Sequence, residues 1–173
     1  MIAANQNQAT LVSTLWPTGE RSSLMRATVL AVAGSALLAI SAKIQIPFYP
    51  VPMTMTTFMV LLLGMSLGWR LAAATILLYL AEGAAGMPVF AGTPEKGIGL
   101  AYMMGGTGGY LIGYLLAAVT CGWLAEHGWG RNVVSTAIAM LVGNVLIYVP
   151  GLLWLGALFG WDKPILEWGL PPF

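Results

Sequence analysis

"MPVFAGTPEKGIGLAYMMGGTGGY", residues 87–110, is the stretch that decides how this chain folds. It carries seven glycines, two prolines and the adjacent charged pair Glu95 and Lys96. Elsewhere the chain consists largely of long apolar runs without charge, such as 27–42 and 132–161. A segment that is neither a lipid-facing helix nor an ordinary polar loop therefore lies among helices, and its surroundings indicate its role.

The composition predicts an all-α integral membrane protein. Of 173 residues, 58% are hydrophobic and 8% charged, whereas a soluble domain carries about 25% charged residues. At about 20 residues per span, the length allows five or six helices. The net charge of +1 leaves no nucleic-acid footprint. A single Cys121 and a single His127 exclude an intrachain disulfide and disfavour a metal site, and no cofactor is predicted.

The positions of the charges divide the chain into helices. Residues 1–24 are predicted to form a cytoplasmic or interfacial tail, and residues 25–173 a single transmembrane substrate-binding domain. Gly64 and Gly68 favour a tight turn between the second and third helices, and Pro150 is expected to kink or end the fifth. Helices are predicted at 25–43, 54–69, 70–86, 106–126 and 131–150, followed by a connector to Phe173.

The orientation follows from the basic residues in the short loops. With the N-terminus in the cytoplasm, four basic residues lie inside and three outside. The inside set is Arg21, Arg26, Arg70 and Arg131, and the outside set is Lys43, Lys96 and Lys163. We therefore predict a cytoplasmic N-terminus, which places the segments 43–54 and 87–105 together on the outer side.

The first outward segment is "KIQIPFYPVPMT", residues 43–54. Its prolines, Pro47, Pro50 and Pro52, remove backbone donors and disfavour helix, so the segment is predicted to be extended. The segment is also apolar, and extended backbone cannot face lipid because its polar groups would lack partners. It is therefore either a stiff connector resting on protein or a lid over a pocket.

The second outward segment ends in "GGTGGY", which superficially resembles a phosphate loop. It matches neither the Walker pattern nor the dinucleotide fingerprint, because Leu111 stands where the third glycine belongs. We interpret the glycines as allowing close backbone approach before a helix that begins near Thr107. The N-terminus of that helix carries partial positive charge. It either faces a carboxylate or a ureido-like carbonyl, or simply packs on a neighbour.

Two polar residues are predicted at membrane depth. Glu82 lies twelve residues after Arg70, which is about 18 Å along a helix. Glu82 is therefore either a functional acid within the outer leaflet or the ion-pair partner of Lys43 or Lys96. Asn144 is in the middle of a helix, where a buried amide needs a partner. It makes either an interhelical hydrogen bond or a ligand contact.

The first helix carries small residues at every fourth position. These are Ala27, Ala31, Ser35 and Ala39. Small residues at this spacing form a flat face that another helix can approach closely. The face is either a docking surface for a partner membrane protein or ordinary packing within the chain.

Three long stretches resemble the BioY family, the biotin-specific S components of energy-coupling-factor (ECF) vitamin transporters. They are "AKIQIPFYPVPMTMTTFMVLLLG", "GMPVFAGTPEKGIGLAYMMGGTGGYLIGY" and "GNVLIYVPGLLWL", in that order. The resemblance implies a six-helix bundle in a bacterial or archaeal cell membrane, with both termini cytoplasmic. It also implies biotin as substrate, and a transmembrane coupling protein and two ATPase subunits as partners. It implies too that the first-helix stripe docks on the coupling protein.

The resemblance also implies a final helix with an aspartate and a lysine one turn apart, which contact the ureido ring. This chain ends at "GLPPF", so we expect the sequence to be incomplete at its C-terminus. Function alternatives are an S component for another small vitamin and a non-transport membrane assembly subunit. An enzyme is disfavoured, because one histidine and six scattered carboxylates offer no converging nucleophile and base.

A biotin site would combine aromatic contacts to the ring, polar contacts to the ureido edge and a cation for the carboxylate. Lys96 is the first choice for the carboxylate and Lys43 the second, although Glu95 and Lys96 alternatively form a solvated pair. The ureido candidates are Asn144, Thr54 and Thr107, with Gly108 beside them in the glycine run. The ring candidates are Phe48, Tyr49, Val51, Phe90, Tyr102 and Tyr110.

Overall fold

The computed structural model describes Thr10, residues 20–46, residues 51–162 and Leu166. Most of the predicted tail 1–24, the pocket candidates Phe48 and Tyr49, and most of the connector beyond Asp162 lie outside the described residues. The described elements are α1 (Glu20–Lys43), β1 (Gln45–Ile46), β2 (Met53–Thr54), α2 (Thr56–Leu67), α3 (Trp69–Ala84), α4 (Gly99–Met103), α5 (Gly108–Glu126), a 3₁₀ turn (Trp129–Arg131) and α6 (Val133–Phe159).

The helices confirm the predicted all-α membrane fold. By length and composition, three of them can cross a membrane: the stretches Leu24–Lys43, Gly108–Glu126 and Val133–Phe159. Helix α2 is apolar, but its 12 residues reach only about 18 Å, less than the roughly 30 Å hydrocarbon core. Gly68 joins α2 to α3 at a φ of +80°, so the predicted tight turn is confirmed.

Helix α6 corrects one prediction. We expected Pro150 to kink or end the helix predicted at 131–150, but α6 runs through this proline to Phe159 and comprises 27 residues. A proline removes only one backbone donor, whereas ending the helix inside lipid would expose several unpaired groups. At its other end, Asn132 Oδ1 caps α6 by accepting a hydrogen bond of 3.0 Å from the Val134 N–H.

Helix α5 is the centre of the bundle and packs on α6, α2 and α3. A much larger fraction of its residues is buried than in α1 or α6. The outer faces of α1 and α6 carry exposed apolar side chains, as contact with lipid requires. A methyl group at Gly109 would overlap the Pro150 carbonyl and the Trp154 side chain. The glycine run therefore allows the close approach that we predicted, between α5 and α6.

The two ends of the segment 43–54 pair as an antiparallel ladder. Gln45 lies opposite Thr54 and Ile46 opposite Met53, and the Met55 N–H donates to the Ile44 carbonyl at 3.1 Å. The predicted extended backbone is confirmed at these two ends. After this ladder the chain continues into the N-terminus of α2.

Candidate functional site

Between the two outward segments and the helices lies a cavity that we name the aromatic cavity. It comprises about 560 Å³ of empty space, part of which is open to solvent. Five tyrosines, four threonines and one phenylalanine account for most of its described lining. The lining residues are Ala42, Val51, Pro52, Thr54, Thr56, Thr57, Tyr79, Phe90, Ala91, Tyr102, Thr107, Tyr110, Leu111, Tyr114 and Tyr148.

The structure brings together six of the residues predicted from sequence. All six line the aromatic cavity, although they come from both outward segments and the start of α5. They are Val51, Thr54, Phe90, Tyr102, Thr107 and Tyr110. Gly108 instead lies at the first position of α5, where a methyl group would overlap the Met103 carbonyl and contact Trp154. The start of α5 thus packs on a neighbour at Gly108, while Thr107 faces the cavity.

Phe90 is the centre of one wall of the aromatic cavity. Its ring stacks on Tyr102 with centroids 5.0 Å apart and planes 15° apart, and meets Tyr79 edge-on at 5.3 Å and 88°. The Tyr79 hydroxyl donates to the Val89 carbonyl at 3.2 Å. Behind Phe90 lies Gly83, where any side chain would overlap the ring. The wall therefore requires a glycine on α3.

Paired hydroxyl groups line much of the cavity. The Tyr114 hydroxyl is hydrogen-bonded to the side chains of Thr57 and Thr54, and the Tyr102 hydroxyl to Thr107. Burial raises the pKa of Tyr102, on the short helix α4, to about 12, against the lowering effect of Thr107. This hydroxyl is therefore protonated at neutral pH and remains a donor.

Sequence reasoning missed five hydroxyl-bearing lining residues that lie on regular helices. They are Thr56, Thr57, Tyr79, Tyr114 and Tyr148. One signal was present, because Tyr114 follows Tyr110 by four residues and shares its helix face. A tyrosine on an apolar helix offers no comparable signal when it stands alone.

Lys43, the second choice for a carboxylate, is already engaged with the second outward segment. Its Nζ donates to the Phe90 carbonyl at 3.1 Å, and to the Thr93 carbonyl and hydroxyl at 3.0 Å each. An ammonium group has three donors, and these three bonds use all of them. The geometry favours a role for Lys43 in holding the turn that carries Phe90.

Lys96 lies at a second cavity, which we name the lysine cavity. The side chain is exposed, and its methylene groups pass over Gly92. Pro52, Tyr102 and Thr107 line both this cavity and the aromatic cavity. The other described lining residues are Ala101, Gly105, Gly106 and Phe159. The two cavities therefore adjoin, and the lysine cavity carries a cation.

Asn144 faces a separate groove and not the aromatic cavity. This open groove lies between α2 and α6 and is lined by apolar side chains such as Phe58 and Leu141. Thr54 is common to the groove and the aromatic cavity. The predicted contact between Asn144 and a ligand therefore stays a prediction.

The predicted ion pair of Glu82 with Lys43 or Lys96 is replaced by a hydrogen bond. The Ser35 hydroxyl donates to Glu82 Oε2, so this bond joins α1 to α3. Ser35 is 1% exposed, whereas the other stripe residues, Ala27, Ala31 and Ala39, are half-buried. At Ser35 the structure favours packing within the chain.

Three described apolar helices are long enough to cross a membrane and identify a multi-pass membrane protein, and the tyrosine-rich aromatic cavity is its candidate small-molecule site. Within the described residues, no cluster of histidine, cysteine and acidic side chains is suited to a metal ion. The family model described as the BioY family matches residues 8–173. The chain therefore belongs to the BioY family.

Individual relatives and a solved structure agree with this assignment. A probable biotin transporter BioY of Pyrococcus horikoshii is 37% identical over 136 residues, which cover 79% of this chain and 78% of the relative. Biotin transporter BioY2 of Lactococcus lactis is 33% identical over 155 residues, with coverages of 89% and 82%. The crystal structure of the S-component for biotin from an ECF-type ABC transporter superposes with a TM-score of 0.72. At 23% identity, covering 86% of this chain and 80% of that one, this likeness concerns the fold.

Proposed function

We propose that this protein is the biotin-binding membrane subunit of a biotin uptake transporter. It captures biotin from outside and delivers it inward together with an ATP-driven coupling module. The observation that carries the proposal is the aromatic cavity beneath two irregular segments, in a chain whose relatives include named biotin transporters. In this role the chain is a transport subunit, and ATP is hydrolysed on partner chains.

The chemistry of the two adjoining cavities fits the two ends of biotin. The fused ring is apolar with a ureido edge, and suits a cavity of tyrosine and threonine side chains. The valeryl tail ends in a carboxylate, and Lys96 supplies a cation at the lysine cavity. Because Tyr102 and Thr107 line both cavities, one ligand can occupy both. The segment 43–54 then acts as a lid over the ring.

The proposed partners are a transmembrane coupling protein and two ATPase subunits, in a bacterial or archaeal cell membrane. The N-terminus lies in the cytoplasm, so biotin enters the cavity from the outer side. Half-buried Ala27, Ala31 and Ala39 leave part of the first-helix stripe accessible for docking on the coupling protein. If the stripe is a docking face, the Ala31→Trp variant should no longer co-purify with these subunits, while its binding of biotin stays intact.

The direct test is equilibrium binding of labelled biotin to the full-length protein purified in detergent. Saturable binding is expected, and its absence from folded protein would refute the proposal. Lys96→Ala is expected to weaken the binding of biotin by about fivefold. The binding of biotinamide, which has no carboxylate, should be nearly unchanged. Arg70→Ala, which removes a cation from the opposite side of the bundle, serves as the control. Equal losses for both ligands would remove Lys96 from the carboxylate role.

A further inference from the structure

Thr56 carries a buried hydroxyl without a hydrogen-bond partner. It is the first residue of α2, is 2% exposed and lines the aromatic cavity. Its Oγ1 has no partner among the described residues. Buried hydroxyls are nearly always paired in folded proteins, so an unpaired one beside a ligand cavity requires an explanation.

The neighbouring hydroxyls leave Thr56 without an internal partner. The side chains of Thr54 and Thr57 are bonded to Tyr114, and the Tyr79 hydroxyl donates to a backbone carbonyl. Tyr102 is bonded to Thr107. Each of these groups therefore has a partner, whereas the Thr56 hydroxyl has none among the described residues and is available to a bound molecule.

We infer that Thr56 is a specificity-determining residue whose hydroxyl hydrogen-bonds the ureido group of biotin. The inference rests on the proposed function and adds to it a contact on the ring. Thr56 lines the aromatic cavity but not the lysine cavity, so it faces the ring end of the ligand and not the carboxylate. The ureido group offers a carbonyl acceptor and two N–H donors, and a hydroxyl can pair with either kind.

Replacement of Thr56 by valine has opposite consequences for the free and the bound protein. Valine matches threonine in shape, so packing is kept and only the hydroxyl is lost. In the free protein this removes an unpaired buried polar group, which leaves stability unchanged or raised. In the complex it leaves a ureido group facing a methyl group, and biotin affinity is expected to fall by about tenfold or more.

The experiment measures biotin affinity and ligand-free thermal unfolding on the full-length protein. The variants are Thr56→Val, Thr56→Ser, which keeps the hydroxyl, and Thr75→Val as a matched control. Thr75 is fully buried, but its hydroxyl already donates to the Leu71 carbonyl at 2.8 Å. We expect Thr56→Val alone to lose affinity, equally for biotin and biotinamide, without a lower melting temperature. Thr56→Ser should bind close to wild type.

Two results would overturn the inference while leaving the proposed function in place. Wild-type affinity in Thr56→Val would mean that the hydroxyl bonds only to water. A loss of affinity shared by Thr56→Ser, together with a lower ligand-free melting temperature, would indicate a packing role. Failure of the folded wild-type protein to bind biotin would instead refute the proposed function and, with it, this contact.

Discussion

Replacing Gly83 by alanine tests how tightly the wall of the aromatic cavity is built. The outer end of the Phe90 ring lies against Gly83, and the ring stacks on Tyr102 with a centroid distance of 5.0 Å. A methyl group at position 83 would overlap several atoms of the Phe90 ring. Because the ring is also in contact with both Tyr102 and Tyr79, Phe90 has to tilt or slide, and the cavity that it lines changes shape.

The expected magnitude follows from this confinement. Overpacking a well-packed site typically costs about 1–3 kcal/mol, and loss of the stacked geometry removes up to about 1 kcal/mol more. Phe90 is 1% exposed, so the ring has little free space in which to relieve the overlap. If the ligand requires the ring in its present position, most of this energy appears as weaker binding. We therefore expect the Kd for biotin to rise by about tenfold to a hundredfold.

The assay is equilibrium binding of labelled biotin, together with thermal unfolding in detergent. Gly130→Ala is the matched control, because a methyl group there meets only the end of the Met65 side chain at 3.6 Å. The double variant Gly83→Ala/Phe90→Leu removes the overlapping ring and should recover part of the lost affinity. This account of the wall is refuted if Gly83→Ala binds biotin as tightly as Gly130→Ala. It is also refuted if the loss of affinity in the double variant equals the sum of the losses in Gly83→Ala and Phe90→Leu.

Two further predictions concern polar contacts between helices and loops. Lys43→Met removes the three hydrogen bonds that hold the turn containing Phe90 and should speed biotin dissociation by about fivefold, measured by competition with unlabelled ligand. A wild-type rate would contradict this role. Glu82→Leu leaves the buried Ser35 hydroxyl unpaired and should destabilise the protein by about 1–3 kcal/mol, whereas Glu82→Gln keeps an acceptor. Equal melting temperatures for the two Glu82 variants would contradict the importance of this bond.

The helices were predictable because charged residues mark their ends. Arg70 and Glu82 bracket most of α3, and the charge-free run 97–125 contains all of α5 except its last residue, Glu126. The end of α6 was not predictable from local rules, because Pro150 is a helix breaker in water. In a membrane, the requirement that backbone groups have internal partners is stronger than this effect, since every backbone group without such a partner is exposed to lipid.

Six of the fifteen described residues that line the aromatic cavity were visible in the sequence, for a specific reason. Phe90 and Tyr102 stand in or beside irregular backbone, where a large aromatic side chain suggests a pocket. Tyr79 and Thr56 stand on helices, where the same residue type can face lipid, a neighbouring helix or a cavity. Only the rotation of each helix separates these possibilities, and that rotation is set by packing between distant parts of the chain.

The irregular segment 87–107 is held in place by side-chain donors from three helices. Buried backbone carbonyls without regular partners need donors, and here three separate side chains supply them. The bonds are Tyr79 to the Val89 carbonyl, Lys43 to the Phe90 carbonyl and, at 2.9 Å, Trp154 to the Gly105 carbonyl. These carbonyls flank the aromatic rings of the cavity wall, so the bonds that satisfy the backbone also position the wall. Loss of the Lys43 or the Trp154 donor is therefore expected to reach the ligand through the loop, since neither is among the described lining residues of the aromatic cavity, whereas Tyr79 lines it directly.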